Sequence, residues 1–299
     1  MSGSDRLKPV IFLLGNVRSG TSLTRKLFAL HPDLATLREP RTVWMFADPG
    51  RRHDRFTEAD ATPRVIRYIR RRFEEFQAEH GGKRLMEKTP SNVLRIPYIH
   101  RIFPESRFLY TVREPLAYLS SSDLKWQPKE AITKNRLRQR LRETPRSQLH
   151  YYAWRYAAET FNKKVLKKKY VSVWGVRYPG IYDDLRRLTR LEVMAKQWAE
   201  SSRQAEEDLA ALDPAIVFRT SYEKLVTNPV EEFTRILNHF GLEMSPAMSE
   251  QVRAMVDPNR RMKWTRFAPE DIRRVLPILR PEMERHGYEV PHDWLESAR

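Results

Sequence analysis

The 299-residue chain contains no cysteine. That one absence excludes disulfides, cysteine-ligated zinc and thiol catalysis. Nor is there an apolar stretch long enough to cross a bilayer, and the opening MSGSDRLKP has no apolar core followed by a small-residue cleavage site. We expect a soluble, cytoplasmic protein without a transmembrane segment, peripheral contact with a membrane being compatible with its charge. Internal repeats and low-complexity tracts are also missing. Acidic residues are in deficit, 38 against 55 Lys and Arg, for a formal charge of +17. Such a field draws polyanions, anionic head groups or a multiply charged cofactor, and says nothing about fold. Apolar residues, by contrast, are ample: 40% of the chain, with 7 Trp, 12 Tyr and 13 Phe, enough to bury a large core. The length suits one large domain or two small ones, and we expect one domain over 1–299.

The most informative stretch is VIFLLGNVRSGTSLTRKLF, 10–28. A short apolar run, Val10–Leu14, reads as a buried strand, and Leu23, Leu27, Phe28 and Leu30 recur at helical spacing. Gly15–Ser22 is then a strand-to-helix turn, which aims backbone N–H groups and the positive end of a helix dipole at one point. The order Gly15, four residues, Gly20, Thr21, Ser22 nearly fits a nucleotide-binding phosphate loop. Thr21 stands where that loop has lysine, and the cation lies upstream at Arg18. A plain glycine turn is the alternative reading.

Further along, strands alternate with helices. Leu34–Leu37 leads into Arg38-Glu39-Pro40, and Arg84–Glu87 leads into Lys88-Thr89-Pro90-Ser91-Asn92. Arg107–Val112 delivers Arg113-Glu114-Pro115, and Ala215–Arg219 is a last strand before Tyr222. Helices are predicted from Thr62-Pro63 to Gly81, after Lys88 to Phe103, from Leu185 to about Leu212, from Asn228-Pro229 to Gly241, and from Pro269. The alternation predicts an α/β fold, a doubly wound parallel sheet of about five strands covered by helices on both faces. Ligands of such sheets sit at the carboxyl ends of the strands, where each predicted strand carries a charged residue. The basic and aromatic region from about 130 to 212 reads as a helical insertion on the substrate side, and VWGVRYPGIYDD as a candidate substrate wall. Its KNRLRQRLR and KKVLKKK runs are read as solvated helix faces.

A second signature is Arg113 and Pro115, with Ser121 eight residues after the Arg. A strand-end guanidinium and a hydroxyl two turns into the next helix can converge on one phosphate.

Arg-Ser-Gly-Thr-Ser at 18–22 resembles the 5′-phosphosulfate loop of the sulfotransferases that use 3′-phosphoadenosine 5′-phosphosulfate, and Arg113…Ser121 resembles their 3′-phosphate grip. Glu39, within REP, is similar to the carboxylate base of the glycan and protein-tyrosine branches. Lys88, within EKTPSN, resembles the lysine that holds the transferring group, and RRMKW at 260–264 is similar to the closing segment over the nucleotide. The resemblance implies a phosphate-loop sulfotransferase of the carboxylate-base type, with Glu39, Arg18 and Lys88 catalytic. It assigns Arg18, Ser19, Gly20, Thr21, Ser22, Leu23, Arg113, Ser121, Tyr222, Arg260, Arg261, Lys263 and Trp264 to the cofactor. No metal is implied, since no acidic strand end offers to hold Mg²⁺. The acceptor implied is a glycan, glycolipid or other small metabolite, and no nucleic-acid partner is expected. Departures are Arg18 where the cytosolic small-molecule enzymes have Lys, and Asn92 where they have a histidine base. For Glu39 an ordinary ion pair with Arg38 or Arg41 stays open, and Lys88 is otherwise a plain strand-end charge. The rival functions are a nucleotide kinase or ATPase, which needs a lysine at 21, and a basic nucleic-acid-binding protein, which has no use for Glu39 or Ser121.

Overall fold

The computed structural model describes residues 7–123, 144–145, 148–152, 154, 173–257 and 267–290. Five parallel strands, β1 (Ile11–Leu14), β2 (Leu34–Arg38), β3 (Arg84–Lys88), β4 (Arg107–Val112) and β5 (Val217–Ser221), form one sheet in the order β2-β3-β1-β4-β5. The helices are α1 (Thr21–Phe28), α2 (Arg41–Trp44), α3 (Pro63–Glu79), α4 (Ile96–Ile102), α5 (Pro115–Asp123), α6 (Ile181–Arg187), α7 (Arg190–Ala210), α8 (Tyr222–Thr227), α9 (Pro229–His239), α10 (Pro246–Met255) and α11 (Pro269–Arg285). The expected doubly wound parallel α/β sheet is what forms.

The alternation of side chains along a strand decides which helices cover which face. On β1, Ile11 and Leu13 face Leu27 and Phe28 of α1, Phe233 and Ile236 of α9, and Val252 of α10. Phe12 and Leu14 face the other way, into a core with Trp44, Phe73, Ile99, Trp198 and Leu279. The Phe12 ring lies 5.6 Å from Phe103 and 5.7 Å from Trp44, edge-on to the indole. Burying each such side chain is worth about 1.5–3 kcal/mol, so both layers are held to the sheet by apolar surface. Because β1 has β3 on one side and β4 on the other, the chain reverses direction across it. The crevice beyond the carboxyl ends of β1 and β4 is therefore a topological switch point.

One expected element divides. Leu185 to about Leu212 reads as one helix in sequence, but α6 ends at Arg187 and α7 begins at Arg190. Thr189 caps α7, its hydroxyl accepting from the Glu192 N–H while the Glu192 carboxylate takes the Thr189 N–H at 2.8 Å. Far from being peripheral, α7 buries Trp198, Ser201 and Ser202. Most of 130–172, with its basic runs, lies outside the described residues. Among the described residues no helix is long and apolar enough to cross a membrane.

Candidate functional site

The turn after β1 is shaped by close approach. A Cβ on Gly15 would lie 2.5 Å from the Thr111 carbonyl of β4, and one on Gly20 would lie 2.5 Å from the Tyr222 ring. Gly20, at φ 81°, is the residue from which α1 starts, and no side chain caps that helix. Of the N–H groups at 19–23, Ser19 donates to the Asn16 carbonyl at 3.2 Å and Leu23 to the Gly20 carbonyl at 2.8 Å. The N–H groups of Gly20, Thr21 and Ser22 have no backbone acceptor among the described residues and lie at the positive end of the helix dipole. That is an anion cradle. The Ser19 hydroxyl is buried without a hydrogen-bond partner among the described residues.

Arginines complete the cradle. Arg18 sits at the crown with φ 69°, a left-handed conformation that costs a non-glycine residue on the order of 1 kcal/mol or more. Its Nε donates to the Ser121 hydroxyl at 2.7 Å, and its carbonyl accepts from Arg113 Nη1 at 2.9 Å. The Arg113 guanidinium lies 4.3 Å from the centre of the Tyr222 ring, and its Nε is buried with no partner among the described residues. From behind, the Trp198 indole donates to the Arg113 carbonyl at 3.0 Å. Sequence reading pairs Ser121 with Arg113. In the structure Ser121 bonds Arg18, so the two signatures, 95 residues apart, form a single connected group.

The next residue after Arg113 ties this group to the end of the chain. The Glu114 N–H donates to Glu223 at 3.1 Å, and Glu223 accepts the Tyr288 hydroxyl at 3.0 Å. The Glu114 carboxyl takes the N–H groups of Leu116 at 2.8 Å and Ala117 at 2.6 Å, capping α5. Burial pushes its pKa up to about 7, against those N–H groups and with help from Glu223.

On the other side of β1, β2 and β3 bring Glu39 and Lys88 together, through the Arg38–Lys88 register. Glu39 is the second described non-glycine residue with positive φ, 48°. Its Oε1 accepts from Lys88 Nζ at 3.0 Å and its Oε2 from Arg41 Nη2 at 2.8 Å. The ordinary ion pair with Arg41 and the pairing with Lys88 are thus both present, while the Arg38 side chain lies outside the described residues. Burial raises the Glu39 pKa, but Arg41 and then Lys88 outweigh it and hold the carboxyl at about 2.

Glu87, one residue before Lys88, points to the opposite face and is fully buried. It accepts from the Thr89 hydroxyl and from Asn92 Nδ2 at 2.8 Å. Burial pushes its pKa up to about 7 against the Thr89 hydroxyl. Asn92 then accepts from Arg95 at 3.2 Å, and Arg95 donates to the Asp54 carboxylate at 3.1 Å. Arg177 donates to the same carboxylate at 2.7 Å. The EKTPSN segment is thereby pinned to the VWGVRYPGIYDD loop by a buried polar chain. No sequence signal marks this chain, since Asp54, Arg95 and Arg177 come from three distant stretches.

A carboxyl whose pKa rises on folding stabilises the fold fully below about 4.5, and that contribution is lost as pH climbs to about 7. In Glu87→Gln this dependence is absent. The stability of the variant relative to wild type is expected to rise between pH 4.5 and 7, by up to about 3 kcal/mol at 1.36 kcal/mol per pKa unit. Denaturant unfolding across that range measures it, and a constant difference would contradict the assignment.

Arg260, Arg261, Lys263 and Trp264 lie outside the described residues. Among the described residues no group of three His, Cys, Asp or Glu side chains is gathered to hold a metal.

A parallel α/β sheet with a glycine turn at its switch point, an uncapped helix start and two linked arginines defines the phosphate-loop class of anion-binding proteins. Residues 9–178 and 165–246, more than half of the chain, match the Sulfotransferase family, and this chain belongs to that family. Protein-tyrosine sulfotransferase 2 of Gallus gallus is 34% identical over 123 residues, covering 38% of this chain and 33% of the relative. Nodulation protein NoeE of Sinorhizobium fredii is 28% identical over 132 residues, covering 39% and 32%. The matches thus span about a third of the length of these curated relatives. The sulfotransferase domain of the Synechococcus PCC 7002 olefin synthase shares the fold with a TM-score of 0.55, at 16% identity over 96% of this chain and 97% of that one. Sulfotransferase STF9 from Mycobacterium avium does so with a TM-score of 0.52, at 13% identity over 95% and 78%.

Proposed function

We propose that this chain transfers a sulfuryl group from 3′-phosphoadenosine 5′-phosphosulfate to a hydroxyl or amine of a glycan, glycolipid or other small metabolite, with Glu39 as the base. The observation that carries this reading is the linked group of Arg18, Arg113 and Ser121 at the uncapped start of α1, facing the same crevice as the Glu39–Lys88 pair. The buried Arg113 Nε and Ser19 hydroxyl, without partners among the described residues, fit a ligand with oxyanions at two ends. Gly20, Thr21 and Ser22 would take the 5′ end through their N–H groups, and Arg113 the 3′-phosphate, with Tyr222 stacked beneath it. When bound, the cofactor supplies an activated sulfuryl group on a good leaving group.

The protein's share is positioning and charge. A carboxyl at about 2 is a poor base. Lys88 is the reason it can improve. Once the ammonium turns from Glu39 toward sulfuryl oxygens, the carboxylate loses one of its two cations and its affinity for a proton rises. Arg41 stays to orient it. Lys88 and Arg18 then balance the negative charge that builds on the bridging oxygen, while Glu39 receives the acceptor's proton through a direct hydrogen bond.

A radiolabelled-sulfate transfer screen across glycan, lipid and phenol acceptors tests the reading. Label is expected in at least one hydroxyl or amine acceptor, dependent on 3′-phosphoadenosine 5′-phosphosulfate and abolished in Lys88→Ala. Transfer that persists in Lys88→Ala, or none to any acceptor, would overturn it.

A further inference from the structure

The amino end of the sheet, away from the crevice, gathers positive charge without a paired carboxylate among the described residues. Arg84 opens β3 and Arg107 opens β4, so their guanidiniums flank the entry to β1. Arg84 Nε donates to the Pro9 carbonyl at 2.7 Å and its Nη1 to the Phe240 carbonyl at 2.7 Å. Arg107 Nη1 donates to the His239 carbonyl at 3.1 Å. Together with Lys8, Asn238 and His239 they line a cavity of about 460 Å³.

No described carboxylate offsets Arg84. Burial, and then the neighbouring Arg107, push its pKa down to about 10. Burial and then Arg107 also push His239 down, and His239 Nε2 is buried without a partner among the described residues. The last carbonyls of α9 hold the two arginines in place, but a helix end supplies only about half a negative charge. Against two guanidiniums, most of the positive charge in this concavity stays uncompensated among the described residues. Partly buried charge of one sign is costly unless something pairs with it.

We propose that this cavity is a second anion site, separate from the crevice, for a tetrahedral oxyanion of the phosphate or sulfate type. The Pro9 and Phe240 carbonyls fix the Arg84 guanidinium and the His239 carbonyl fixes that of Arg107, and the remaining N–H groups of both face the anion with the Lys8 ammonium. The length of β4, roughly 20 Å at about 3.3 Å per residue, separates this site from Arg113, so its occupant does not share the phosphate loop.

The test is thermal unfolding of the full chain with adenosine 3′,5′-bisphosphate at saturation, titrated with inorganic phosphate, inorganic sulfate or a phosphoserine peptide against chloride at matched ionic strength. Wild type is expected to show a saturable rise in Tm beyond that of chloride. Arg107→Gln should weaken the phosphate effect about tenfold or more, the scale of one charge-assisted hydrogen bond. Lys8→Met, whose side chain takes no part in strand pairing, should weaken it several-fold and serves if Arg107→Gln does not fold. If the free ions act, a small ion is the occupant. If only the peptide acts, the oxyanion belongs to a phosphorylated partner. A rise no greater than that of chloride with every probe, or one unchanged in both variants, would overturn the proposal.

Discussion

Glu39→Gln is expected to lower turnover by a factor on the order of a hundred or more, while adenosine 3′,5′-bisphosphate binds as it does to wild type. The amide is close in size to the carboxylate and can still accept from Arg41 or Lys88, so the geometry held at 3.0 Å and 2.8 Å need not collapse. It cannot take a proton from an acceptor. Single-turnover kinetics beside nucleotide binding separates the two effects. Unchanged turnover would remove Glu39 from the chemistry, and a parallel loss of nucleotide affinity would mean that the carboxylate holds the site together.

Arg113→Ala should weaken adenosine 3′,5′-bisphosphate far more than adenosine 5′-monophosphate. A guanidinium hydrogen bond to a charged group is worth about 1.5–3 kcal/mol, or roughly ten- to a hundredfold in affinity. Some loss for the monophosphate is also expected, because Arg113 braces the Arg18 carbonyl at 2.9 Å and so the crown of the 5′ loop. The excess loss for the bisphosphate is the diagnostic quantity. Equal loss for both nucleotides would make Arg113 a brace for the loop and would leave the 3′-phosphate without its assigned partner.

The sequence made the frame legible because β2, β3 and β4 each end where an apolar run meets a charged residue, and β1 ends where one meets a glycine turn. β4 occupies the expected Arg107–Val112, and β1, β2, β3 and β5 fall within one or two residues of their expected limits. The division at Thr189 was also legible in principle, since Thr189 and Glu192 have the spacing of a capping box. Continuous helical spacing on either side masked it. What spacing could not show is how the signatures touch. That Ser121 meets Arg18, that Tyr222 lies over Gly20, and that Asn92 ties Glu87 to Arg95 depend on which strands end side by side. The left-handed backbone at Arg18 and Glu39 was equally invisible. Neither is glycine, and only the surrounding contacts hold them there.

The central claim is that one nucleotide is gripped at both ends, by the turn after β1 and by the tip of β4. Calorimetric titration of the full chain with adenosine 3′,5′-bisphosphate and, separately, with ATP tests it most directly. The account predicts tighter binding of the bisphosphate by about tenfold or more, the scale of one guanidinium–phosphate hydrogen bond. Equal affinities, or a preference for ATP, would contradict it.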